Sequence, residues 1–214
     1  MSPRPQPAAL TAADVDALRE RLARAGVVVF PTDTVYGLGC DPTSEPAVKR
    51  LYELKGRPPA RPAAVMFFAL DSALGALGEL RARERAALEA LLPGPLTLLL
   101  PNRERRFPLA CGSDPGGSQT LGLRVPSLPA RLAALATLDR PLLQSSANRS
   151  GGPEARRLRD VPASLRAGAD LLLDGGELPG VASTVLDLRD YERSGEWRIV
   201  REGPVDRAEL ERAL

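Results

Sequence analysis

Short apolar runs alternate with amphipathic helical stretches along nearly the whole of this chain, and that alternation limits its fold more than any other feature. The first helical stretch, 12–25, follows Thr11, a residue able to cap it. It carries Val15, Leu18 and Leu22 on one face and meets a stop at Gly26. Val27-Val28-Val29-Phe30 then reads as a buried strand, and residues 31–39 as a polar turn. Ser44 is placed to cap a second helix, with Val48, Leu51 and Tyr52 inward and Gly56 as its stop. Further strands are expected at 63–70, 94–101, 121–125, 140–148, 170–174, 182–188 and 196–201. Further helices are expected at 71–79, 82–92, 127–137, 160–168 and 205–213. Strands are separated by helices at first but adjoin one another late in the chain. The pattern predicts an α/β or α+β domain on a mixed sheet rather than a purely parallel one. Residues 1–10 read as a flexible Pro-rich tail and 11–214 as one domain. Residues 102–119, rich in Arg, Gly and Ser, read as a long loop, a length that usually marks function or mobility.

With 214 residues the chain can bury about two-thirds of its unfolded surface and needs no covalent staple. Cys40 and Cys111 form neither a CxxC pattern nor a disulfide framework, which fits a reducing, cytoplasmic setting. No signal-peptide pattern is present, and no run approaches the ~20 apolar residues that span a membrane. The sequence holds no histidine, which excludes a histidine base, a Ser-His-Asp triad and a His-containing zinc site. Neither lysine follows a Walker A loop, and GxGxxG is missing. All but Lys49 and Lys55 of the 29 basic residues are arginine. A lysine kept against such a bias is a candidate for a task that needs lysine. The net charge of +2 does not by itself indicate a nucleic-acid partner.

Three constellations could carry chemistry. Pro31-Thr32-Asp33-Thr34-Val35-Tyr36-Gly37-Leu38-Gly39 directly follows a strand, a common binding position in α/β sheets; it reads equally as a turn closed by its own side chains. Asp33 there is open to two roles, general base or orienter of the turn. Lys55-Gly56-Arg57-Pro58 sets a point charge beside a bidentate fork at a helix C-terminus. The helix dipole is unfavourable to anions at that end, so the cations themselves must attract a polyphosphate; the alternative is an ordinary cation-decorated helix end. Ser145-Ser146-Ala147-Asn148, at a strand exit, could hold phosphate or sugar oxygens, or form a simple polar turn. Thr120 and Arg124 in an apolar strand, Ser183 and Arg201 are weaker candidates. Cys40 reads as packing, since no histidine can activate it.

Taken in order, FPTDTVYGLGCDP (30–42), KGRP (55–58), LLPGPLTLLLP (91–101), GLRVP (122–126), SSANRSG (145–151), ASTVLDL (182–188) and IVREG (199–203) resemble the YrdC/Sua5 family. The resemblance implies a YrdC-like twisted mixed sheet flanked by helices around a positively charged central cavity. It implies a nucleotidyltransferase reaction of L-threonine, bicarbonate and ATP, with Mg²⁺ on the nucleotide, giving threonylcarbamoyl-AMP and pyrophosphate. A transferase complex would pass the group to adenosine 37 of tRNA. By motif, Lys55 and Arg57 would serve as catalytic and ATP-binding cations, with Thr120, Ser146, Asn148 and Arg201 also on the nucleotide. Thr32, Arg124 and Ser183 would hold L-threonine, and no protein metal site is implied. The chain departs from the family at Met66, where some members have histidine, and at Glu154, where many have serine after the proline. A carboxylate beside a triphosphate is unfavourable, so either Glu154 faces away or this contact is lost. The chain matches the short form of the family, without the extra C-terminal domain of longer members. The alternatives are a YciO-like paralogue and a double-stranded RNA-binding module using Arg103, Arg105, Arg106, Arg156, Arg157 and Arg159.

Overall fold

The computed structural model describes residues 9–58, 60–111 and 120–214. The expected tail lies outside these residues except for its last two positions, and so do residues 112–119 of the expected long loop.

Helix α1 (Ala12–Ala23) begins with a capping box in which Thr11 and Asp14 each satisfy the other's backbone N–H. Its buried face is Val15, Leu18 and Leu22, as the periodicity requires. Strand β1 (Val28–Phe30) is wholly buried and pairs antiparallel with β2 (Gly37–Cys40). The expected turn of 31–39 therefore closes early. Gly-Leu-Gly-Cys has weak intrinsic strand propensity, but β2 is pinned on its other edge by β6 (Leu142–Ser146) as well. Helix α2 (Glu45–Lys55) ends at Gly56 in the left-handed conformation, while Ser44 makes no side-chain cap bond. The next strand, β3 (Ala64–Met66), is shorter than expected because the chain turns into α3 (Leu70–Ala76).

Helix α4 (Ala82–Leu91) leads to β4 (Leu96–Pro101). Residues 102–111 are ordered by Asn102, whose side chain accepts from Arg106 N at 2.8 Å and donates to Arg106 O at 2.8 Å, and by a 3-10 turn at Pro108–Ala110. This corrects the structureless reading of that part of the loop. Strand β5 (Thr120–Arg124) is as expected. The segment expected as an α-helix at 127–137 is instead a 3-10 helix, Ala130–Thr137, whose buried Leu132 and Leu135 stand three residues apart, the 3-10 repeat. The remainder is α5 (Ala163–Gly168), β7 (Leu171–Leu172), β8 (Thr184–Asp187), an unanticipated one-turn α6 (Tyr191–Ser194), β9 (Arg198–Arg201) and α7 (Arg207–Ala213).

The strands form one sheet in the order β7-β1-β2-β6-β3-β5-β4-β8-β9. β1–β7, β3–β5 and β4–β8 are parallel pairs and the other five are antiparallel. Alternation along the middle strands divides their side chains between two faces. In β5, Leu121 and Leu123 enter the hydrophobic core, while Thr120, Gly122 and Arg124 turn to the other face. In β4, Leu96, Leu98 and Leu100 do the same against Thr97 and Leu99. That other face is the floor of a cavity.

Candidate active site: a cationic cavity on the sheet

The cavity has a volume of about 660 Å³ and is lined from β3, β4, β5, β6, β8 and β9, the end of α2, and the segments after α2 and β6. Among the described residues six basic side chains line it, Lys55, Arg57, Arg61, Arg124, Arg189 and Arg201, against one acid, Glu154. Eight of the nine expected site residues meet here: Lys55, Arg57, Thr120, Arg124, Ser146, Asn148, Ser183 and Arg201.

Lys55 is held at the last turn of α2 against the exit of β6. Its ammonium donates to Asn148 Oδ1 at 2.9 Å, to the Ser146 carbonyl and, more weakly, to Ser146 Oγ at 3.4 Å. Ser146 Oγ donates to Asn148 Oδ1 at 2.7 Å, and Asn148 Nδ2 donates to Gly152 O at 2.6 Å. The S-x-N segment is thus the cradle of a single ammonium. Burial, with repulsion from Arg57 and Arg61 only partly offset by Glu154, pulls the Lys55 pKa down to about 8. Arg57 stacks over Tyr52 with its guanidinium 5.7 Å from the ring centre and donates to Ser145 Oγ at 3.1 Å and to the Pro62 carbonyl. Its position just past Gly56 turns the guanidinium back over β6.

Arg124 is 3% exposed and pairs with Asp33 at 2.9 Å, while donating to Thr34 Oγ1 at 3.1 Å. Its Nε has no acceptor among the described residues. Asp33 also accepts from Ser127 N at 3.0 Å. Its carboxylate thus holds both Arg124 and the 127 corner in this structure. Burial raises the Asp33 pKa against the pull of Arg124, and lowers that of Arg124 against the pull of Asp33. Thr32 stands apart from the other expected residues. It is fully buried, does not line the cavity, and spends its hydroxyl on Val35 O at 2.7 Å and Thr34 Oγ1 at 3.0 Å. In this structure it shapes the turn that presents Val35 to the cavity.

On the far side, Arg201 donates to Ser183 O at 2.7 Å and Ser183 Oγ at 3.1 Å, and Ser183 Oγ lies 2.8 Å from Thr97 Oγ1. Gly203 permits this return. A Cβ there would sit 2.3 Å from Thr184 N and 2.6 Å from Ala182 O, so only glycine lets the chain after β9 lie against residues 182–184. Arg189 reaches Thr120 Oγ1 at 3.4 Å while Asp187 holds its other edge at 2.7 and 2.8 Å. Sequence reasoning missed Thr97, Gln144, Arg61, Arg189 and the cavity position of Glu154. Thr97 and Gln144 carried the signal that marked Arg124, a polar residue inside an apolar strand. Met66 is fully buried in the core and does not line the cavity. Cys40 is buried too, and burial with Asp41 nearby pushes its thiol up to about 12, which fits packing.

The arginines considered for RNA are largely engaged elsewhere. Arg103 clasps Glu84 at 2.6 and 2.9 Å, Arg106 pairs with Glu104 at 2.7 Å, Arg156 and Arg157 share Glu177, and Arg159 is near Asp160. None of them lines the cavity. No helix among the described residues is long and apolar enough to cross a membrane.

The Sua5/YciO/YrdC family model, described as "Telomere recombination", matches residues 20–203. A threonylcarbamoyl-AMP synthase of Chromohalobacter salexigens is 38% identical over 173 residues, 80% of this chain and 90% of the relative. One from Pyrococcus abyssi is 32% identical over 189 residues, 88% of this chain; the chain spans about half of that relative, 53%. The crystal structure of P. abyssi Sua5 complexed with L-threonine superposes with a TM-score of 0.80 at 31% identity, covering 96% of this chain and 58% of that one. With this agreement of motif order, sheet and relatives, the chain belongs to the Sua5/YciO/YrdC family.

Proposed function

We propose that this chain is an L-threonylcarbamoyladenylate synthase: it joins L-threonine, bicarbonate and ATP into threonylcarbamoyl-AMP, releasing pyrophosphate and water. The observation that carries this reading is the cavity lined, among the described residues, by six cations and one acid, in which Lys55 is held by Ser146 and Asn148. Relatives bearing that name, and one solved with L-threonine, support it.

The chemistry suits the residues. The threonine amine and bicarbonate give a carbamate, whose oxygen attacks the α-phosphorus as the bond to pyrophosphate breaks. Two anions must meet, and a third leaves. Lys55 and Arg57 neutralise the phosphates, Arg57 with a planar fork and Lys55 with a fixed point charge. Asn148 and Ser146 hold Lys55 and set where the phosphates lie. Arg124, locked by Asp33, brings its charge to the threonine carboxylate, with Ser183 close to the same substrate. Thr120 and Arg201 flank the nucleotide. Thr32 acts indirectly, by setting the turn. No covalent intermediate and no histidine are needed; catalysis is positioning and charge stabilisation.

Mg²⁺ on the triphosphate would supply further neutralisation of the leaving pyrophosphate. No group of three or more His, Cys, Asp or Glu gathers among the described residues, so the protein offers no cage. One carboxylate in the cavity fits the usual pattern for Mg²⁺, which is held chiefly by substrate phosphates and water. The reading includes hand-over of the product to a transferase complex acting on tRNA, in the cytoplasm. Five of the six arginines considered for RNA are near carboxylates, and none of the six lines the cavity, which does not favour the RNA-binding alternative.

The test is pyrophosphate release from ATP by the purified chain, with L-threonine and bicarbonate omitted in turn. Release that needs both is the expected result. Release indifferent to threonine, or none, would sink the proposal.

A further inference from the structure

Glu154 is the one acidic side chain among the described residues lining a cavity of six cations. Its Oε2 is sealed from solvent and has no hydrogen-bond donor among the described residues. Its negative charge acts on both Lys55 and Arg201, raising their hold on their protons. Yet the hydrogen bonds of those two cations go elsewhere, Lys55 to Ser146 and Asn148, Arg201 to Ser183. A buried carboxylate oxygen without a hydrogen-bond donor is costly, even with cations nearby. Of the two expectations for Glu154, facing away or leaving that contact unmade, its place in the cavity lining excludes the first, and a conflict is left: a carboxylate beside the groups that should receive a triphosphate.

A divalent cation removes the conflict, because a carboxylate and a phosphate can both coordinate it, and the cavity's own cations already spend their hydrogen bonds on other partners. Mg²⁺ is commonly held by one or two carboxylates together with substrate phosphates and several waters. We propose that Glu154 is the protein's own ligand, direct or through water, for the divalent cation that the nucleotide carries. This rests on the ATP reading above. Six cations alone would accept a bare triphosphate as readily as a metal-loaded one. Glu154 makes the cavity discriminate, since bare ATP meets a repelling carboxylate and Mg-ATP brings that carboxylate its partner. Glu154 is thus a specificity residue for the metal-loaded nucleotide.

The test is calorimetric ATP binding to the full chain, with excess Mg²⁺ or with EDTA, for the wild type and Glu154→Gln. The wild type should bind Mg-ATP at least about tenfold more tightly than bare ATP, a scale typical of lost metal-supporting contacts. Glu154→Gln should erase most of that preference from both ends, weakening Mg-ATP and strengthening bare ATP. An undiminished preference in Glu154→Gln overturns the assignment while leaving the ATP reading standing, and so does a wild type without any preference. A wild type that binds ATP in neither form overturns the nucleotide reading and this proposal with it. Thermal unfolding checks that the variant is folded. Should Glu154→Gln not fold, Glu154→Ser serves as the second variant, judged by the same preference.

Discussion

Lys55 shows how much of the site resides in one side chain. Its buried ammonium has three protein acceptors and, among the described residues, no paired carboxylate, so its charge is left for a ligand. Lys55→Ala should lower the pyrophosphate-release rate by about 10²–10³, the usual cost of one charge-stabilising donor. The midpoint of urea unfolding should move little, because the vacated acceptors face a cavity that water can fill. Its titration gives a second check. Burial lowers its pKa from 10.5 to about 8, so the charged form costs stability in the empty fold; that cost is full below about 8 and is relieved as pH rises from about 8 to 10.5. ATP needs the charged form. Affinity should therefore fall as pH rises past about 8, and binding there should take up a proton, read as a dependence of the binding heat on buffer ionisation. A flat affinity from pH 7 to 9 would mean that Lys55 does not face the phosphates.

Secondary elements matter here mainly through what they bring to the cavity floor. β5 offers Thr120 and Arg124 from alternate positions, with Leu121 and Leu123 anchoring the opposite face. The Asp33–Arg124 pair ties the turn after β1 to β5 across the sheet, with both side chains almost wholly buried. Removing one partner leaves an uncompensated buried charge. Asp33→Ala should destabilise the chain by about 3–5 kcal/mol in urea unfolding, and should weaken L-threonine binding more than ATP binding. At the edge of the molecule, Thr11→Ala breaks the α1 capping box and should cost about 1 kcal/mol with activity unchanged.

Across the whole molecule, the cavity is roofless until strands far apart in sequence are assembled. Residues of α2 and β6 face residues of β8 and β9 over the floor of β3, β4 and β5. A ligand that touches both sides binds only the assembled sheet, so ATP at 100 times its dissociation constant should stabilise the fold by about 2.7 kcal/mol. A rise in the thermal midpoint with ATP, absent in Lys55→Ala, would check this. Surface arginines follow a different rule. Salt bridges such as Arg157 to Glu177 are exposed and add little.

Local chemistry alone determined the elements and the chemical inventory. Helix caps, apolar periods and the left-handed Gly56 are set by neighbours within a few residues, so α1, α2, β1, β4 and β5 were legible. So were the ordered motifs that bring Lys55, Arg57, Arg124 and Asn148 into one pocket. Tertiary structure decided what no local rule contains. Pairing to β1 and β6 made a strand of glycine-rich 37–40, against its propensity. The 3-10 repeat at 130–137 placed Leu132 and Leu135 in the core. Thr32 was drawn into its own turn while Glu154, for which turning away was one of two expectations, came to line the cavity. These outcomes depend on which groups meet across the sheet and on whether each buried polar atom finds a partner there, and neither is encoded in any one stretch of chain.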